Sequence, residues 1–318
     1  MSSPGLPTRD IPAGITAEQA AILAAQATYQ AQQEQLRQQL AAAVIAIWAS
    51  VAQGGVFSPT EAAIWVERIL PISLGAQRAM TAITVARLNQ VHAPPQPIIV
   101  LPQVGEAIRG RPPEEVYQRP FNEIRWKLSQ GKTVEQAVRA GQRRAISIAT
   151  TDLQLAQTQT AQRYMQEADR RPAGPKGKIV GYRRVLSNNP NHCALCMIAS
   201  TQRYHHIRKM AIHPGCGCTV MPIWGEDDPG LVLNERYLDD VHEIVRRDLG
   251  EKYVDAGGRL GAANYRNIII THEHGELGPV LGVRDHDYTG PNDLIRRLGH
   301  QRVNPLPEPE DVVDLDEL

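Results

Sequence analysis

Cys193, Cys196, Cys216 and Cys218 are the only cysteines in this chain of 318 residues. Random scattering would bring four cysteines this close about one time in a few hundred, so the grouping needs a chemical cause. Zinc supplies one. A C-x-x-C turn offers two thiolates from a single knuckle, and a distant second pair closes a tetrahedron around the ion. The second pair lies in "HPGCGC", where Gly215 and Gly217 let the backbone bend. Five candidates compete for four places: Cys193, Cys196, His213, Cys216 and Cys218. Either the four cysteines bind alone, or His213 replaces one of the last pair, and two disulfides are the alternative without metal. His192, His205 and His206 read as surface groups or as supports for the ligands. With no Asp or Glu between Asp169 and Glu226, the set is rich in thiolates and closed, which is the pattern of a structural Zn2+ rather than a catalytic one.

A second constellation, "THEHGELGP", places His272 and His274 two residues apart. That is not the H-E-x-x-H spacing of a zinc peptidase helix, and it reads as polar residues on a strand and turn. No G-x-S-x-G elbow and no phosphate-cradling glycine loop is present. A third feature is the run of basic residues Arg170, Arg171, Lys176, Lys178, Arg183 and Arg184, broken by "RPAGPKGK". Its plain reading is a solvated linker, and its sharper reading is a contact to nucleic acid or an acidic partner.

Three capping boxes announce the helices around these groups: Thr16 with Gln19, Ser58 with Glu61, and Thr133 with Gln136. The first opens an Ala, Gln and Leu-rich run that Gly54 and Gly55 end. The second, with Pro59 at the favoured first position, is predicted to run to about Gln90 with a break near Pro71. Phe121, Ile124 and Leu128 fall at helical spacing, and Val134, Val138, Ala145, Ile148 and Leu155 continue such a face along another long helix. Past the cysteines, "LNERYLDDVHEIVRRDL" reads as an amphipathic helix and "NYRNIIITHEHGELGPVLGVRDHDYTGP" as short strands joined by Gly and Pro turns.

The expected class is α+β: a mainly helical N-terminal half, a small zinc-stapled module, and a short α/β C-terminal region with an acidic tail. The expected divisions are long helices over 1–92, a Pro-rich linker over 93–120, and a helical segment over 121–170. The Cys/His module follows over 171–230, then a helix and strands over 231–303 and the tail over 304–318, which has six acidic residues and no basic one from 305 onward. Thirty-four basic and 34 acidic residues cancel, so no global field draws the chain to DNA or to an anionic membrane. The N-terminus lacks the apolar core of a signal peptide, and "LAAAVIAIWASVA" is too short to span a bilayer. Synthesis and assembly in the cytoplasm, without membrane or small-molecule substrate, is the expectation.

The order "RAISIATTDLQLAQTQTAQRYM", "VGYRRVLSNNPNHCALC" and "AIHPGCGCTVMP" resembles the MuF-like minor head proteins of tailed bacteriophages, in particular those of actinobacterial phages. The matching positions are Cys193, Cys196, Tyr204, His213, Pro214, Cys216, Cys218, Thr219 and Pro222, and the resemblance covers about residues 140 to 295. It implies a virion protein inside the capsid near the portal, with portal and other head proteins as partners. The implied role is in head assembly and in DNA packaging or ejection. Proteins of this appearance often carry the label capsid maturation protease, although the sequence offers no catalytic signature for that activity. A zinc-ribbon DNA-binding module is the third reading.

Overall fold

The structure is a computed structural model that describes residues 17–52, 57–186, 203–204, 217–225, 269–274 and 278–283. It is a mainly helical α+β protein. Helices α1 (Ala17–Ala52), α2 (Pro59–His92), α4 (Pro113–Ser129) and α5 (Val134–Asp169) pack together, and α3 (Glu106–Arg109) is a single turn before α4. Strands β1 (Ile179–Val185), β2 (Arg203–Tyr204) and β3 (Thr219–Trp224) form an antiparallel sheet in the order β2-β1-β3, and β4 (Ile269–His274) pairs with β5 (Gly278–Val283) as a separate hairpin.

Both described capping boxes form as the sequence predicts. Ser58 caps α2 and receives the Glu61 side chain in return, and Thr133 and Gln136 do the same for α5. The expected break at Pro71 is absent, because α2 runs through it to His92. Pro71 and Glu67 lie on the exposed side of the helix. The carbonyl that proline leaves without an amide partner is therefore open to water, and the helix continues.

One core joins all four long helices. Trp48 of α1 meets Trp65 of α2 edge-on, with centroids 5.1 Å apart, and meets Phe121 of α4 at 5.3 Å. Trp65 donates its indole hydrogen to the Tyr117 carbonyl at 2.8 Å. Val44, Ile69, Ile124, Ala145 and Ala149 complete the interior. Helices on both sides of the Pro-rich residues 93–104 thus share one core, and Ile98 within that stretch is itself buried against Leu88 and Tyr164.

Gly141 is where α5 comes closest to its neighbours. A Cβ there would lie 2.7 Å from Ile124 and 2.8 Å from Trp48, so the contact requires glycine. Further along, α5 is buried on every side from Ile148 to Thr158. Thr150, Thr151, Asp152, Gln154, Gln157 and Thr158 are inside as well as the apolar residues, which a single amphipathic stripe does not predict.

Candidate functional site

The sheet sits against α5 and carries the ends of the cysteine motif. In chain order, β1 is followed by the connection holding Cys193 and Cys196, then β2, then the connection holding His213 and Cys216, and Cys218 immediately precedes β3. Val185 at the end of β1 pairs with Thr219 at the start of β3, and Tyr182 pairs with both Tyr204 and Pro222. Pro222 offers no amide hydrogen, which an edge strand tolerates. A register shift between Ile179 and Gly181 bends β1 near its start.

The expectation of a structural Zn2+ is corrected here. Among the described residues no group of three or more His, Cys, Asp or Glu side chains could hold a metal ion. Cys218, the one expected ligand that is described, is 3% exposed and enters a strand whose six residues are all buried. Cys193, Cys196, His213 and Cys216 lie outside the described residues, as do His192, His205, His206, the helix expected around "LNERYLDDVHEIVRRDL" and the acidic tail. His272 and His274 lie on β4, in register with Val280 and Gly278.

The six basic residues separate. Arg170 is exposed and pairs with Glu167 at 3.5 Å. Arg171 pairs with the same carboxylate at 3.6 Å and donates to the carbonyls of Gln96 and Pro97. Lys178 is exposed, whereas Lys176 lies over the Trp224 ring at 5.4 Å. Arg183 and Arg184 are buried in β1, at 8% and 1% exposure, so they do not share the surface on which Arg170 and Lys178 lie.

Sequence spacing did not single out the groups that fasten the sheet to the helices. Arg87 of α2, 4% exposed, donates to the Val220 carbonyl on β3 at 2.7 Å and to Gln26 Oε1 of α1, while its guanidinium lies 5.3 Å from the Tyr29 ring. Gln26 donates onward to Thr219 Oγ1 at 2.7 Å, and Gln30 to the Leu186 carbonyl at 2.6 Å. Burial lowers the Arg87 pKa to about 10, with the Tyr29 hydroxyl opposing that shift. Tyr29 is pushed up to about 12 by burial. The pair therefore stays as cation and neutral phenol throughout the physiological range. Arg87 acts as a fixed donor to an edge-strand carbonyl, stapling β3 to α2.

A second buried polar chain runs through the helices alone. Arg109 pairs with Asp152 at 2.6 Å, with side-chain exposures of 3% and 6%. Tyr117 donates to the other Asp152 oxygen at 3.0 Å, Ser73 hydrogen-bonds the Tyr117 hydroxyl, and Gln77 donates to Ser73 at 3.3 Å and accepts from the Gly105 amide at 2.9 Å. Burial and the Asp152 charge push the Tyr117 hydroxyl well above its ordinary pKa. Ser73 is wholly buried, and its partners are a phenol and an amide. Neither can accept its proton as a general base at neutral pH. The chain ties α2, α3, α4 and α5 together.

No family model, curated protein or solved structure matches this chain.

Proposed function

We propose that this protein is a portal-associated minor head protein of a tailed bacteriophage, of the MuF-like kind. In this role it acts in head assembly and, through its place inside the capsid, in DNA packaging or ejection. The observation that carries the reading is the ordered set of motifs between about residues 140 and 295, from the Thr-rich helix through "NHCALC" to "HPGCGCTVMP". The exposed side chains of the helical half support it. Ile99 and Leu101 are 80% and 77% exposed, and Trp126 and Val134 are about half exposed. Ile99 and Leu101, two residues apart on one extended segment, are the candidate contact for a partner.

The test is co-purification. Tagged protein expressed with the other head genes should retain the portal ring through a salt wash. Ile99→Asp combined with Leu101→Asp should cut recovery about tenfold, with unchanged circular dichroism. Particles lacking the protein should still carry mature major capsid protein. Loss of capsid protein cleavage in its absence, with no portal retained by the tag, would overturn the reading in favour of a maturation protease.

A further inference from the structure

The last turn of α2 meets α5 and the sheet at a single imidazole. His92 is 5% exposed. Its ring stacks on Trp224 of β3, with centroids 5.8 Å apart and planes 24° apart, and stands edge-on to Tyr164 of α5 at 6.0 Å. The Tyr164 hydroxyl donates to Asn89 Oδ1 at 3.1 Å, so its oxygen is left to accept from His92 Nδ1 at 3.2 Å. That assigns the hydrogen of the neutral ring to Nδ1. Asn89 also holds both backbone groups of Ile98, at 2.8 and 2.9 Å. The turn closed by the Gly177 amide on the Gly174 carbonyl covers the other side, with Gly174 so placed that an added Cβ would lie 4.0 Å from His92 Nε2.

A second proton on this ring would leave the bond to Tyr164 intact but create a cation in a covered site. Among the described residues, the titratable and charged groups around it offer no compensating negative charge. Lys176 lies on the covering turn with Lys178 beyond it, α5 contributes the neutral Tyr164 phenol, and Arg171 follows just past the end of α5. Arg87, five residues earlier in α2, is committed to the Val220 carbonyl, and Glu167 of α5 is engaged by Arg170 and Arg171. The β3 contribution, Trp224, carries no charge.

We propose that His92 is an acid-sensitive latch: neutral, it holds the three-stranded sheet and its leading turn onto α2 and α5, and protonated, it releases them from a helical core that stays folded. Burial, and then the Lys176 charge, hold the imidazole below its ordinary pKa. The docked form therefore binds fewer protons than the released form. Docking is at full strength above the free histidine value of about 6.5 and weakens as pH falls from there through the docked value.

Hydrogen exchange of the full chain at pH 7.5 and 5.0, corrected for intrinsic rates, tests this. Protection of residues 179–185 and 219–224 should fall by about threefold or more at pH 5.0, while 116–124 and 145–156 keep theirs. His92→Gln should remove that pH dependence, and Lys176→Gln, which takes away the repulsion, should shrink it. An equal acid response in His92→Gln, or parallel loss of protection in the helical core, would overturn the latch. Should His92→Gln leave the sheet unprotected at both pH values, titration of the wild-type His92 ring by NMR decides. A value at or above 6.5 in the docked protein refutes the proposal and a lower one sustains it.

Discussion

Asp152 and Gly141 lie on the same helix and show how differently one residue can matter. Asp152 faces Arg109 in a site closed to water, so Asp152→Asn should cost about 3–5 kcal/mol by leaving a buried guanidinium facing a neutral amide. Urea titration would measure it. Replacing both partners with Met and Leu of similar volume should cost less than either single change, because the desolvated charges leave together. Gly141 makes a sharper case through its comparison with Gly75. Alanine normally stabilises a helix over glycine by up to about 1 kcal/mol, and at Gly75, with nothing within 4 Å of a built Cβ, Gly75→Ala should do so. Gly141→Ala should instead destabilise by about 1–3 kcal/mol, since the methyl must displace Trp48 and Ile124. Opposite shifts in thermal midpoint would bear this out, and equal ones would not.

At the scale of elements, helix starts were legible because capping chemistry is local. Ser58 and Glu61, or Thr133 and Gln136, are three residues apart, and Thr133→Ala should cost about 1 kcal/mol in thermal unfolding. The course of α2 was not legible, since a proline is tolerated or not according to which side of the helix faces water, and that depends on partners distant in sequence. Because Pro71 lies on the exposed side, Pro71→Ala restores an amide donor there and should raise stability by about 1 kcal/mol or more. The polar interior of α5 also escaped the sequence. Val134 sits at an apolar helical position yet is half exposed, whereas Thr151 and Gln154 are inside. A helix surrounded on all sides has no stripe for periodicity to find. The junction with the sheet was hidden for another reason: Arg87 and Val220 are 133 positions apart, beyond what any local motif encodes.

For the whole molecule, the centrality of α5 carries a consequence for synthesis. The helix completely enclosed from Ile148 to Thr158 is made well after α1 and α2, two of the helices packed on it, since α2 ends at His92. Translation at about 5–20 residues per second puts several seconds between completion of α2 and emergence of the segment that fills the space between it and α1. During that interval the nascent chain displays Trp48 and Trp65 with neither Phe121 nor Ala145 to cover them. The α4 and α5 pair, joined by a short turn, can form locally as soon as it emerges, so the docking of that hairpin onto the waiting α1 and α2 should be the late step of folding. Slower codons between residues 92 and 134 would lengthen the exposure and should lower soluble yield, while a holdase chaperone captured on ribosomes stalled in that window should be absent from ribosomes stalled beyond residue 170.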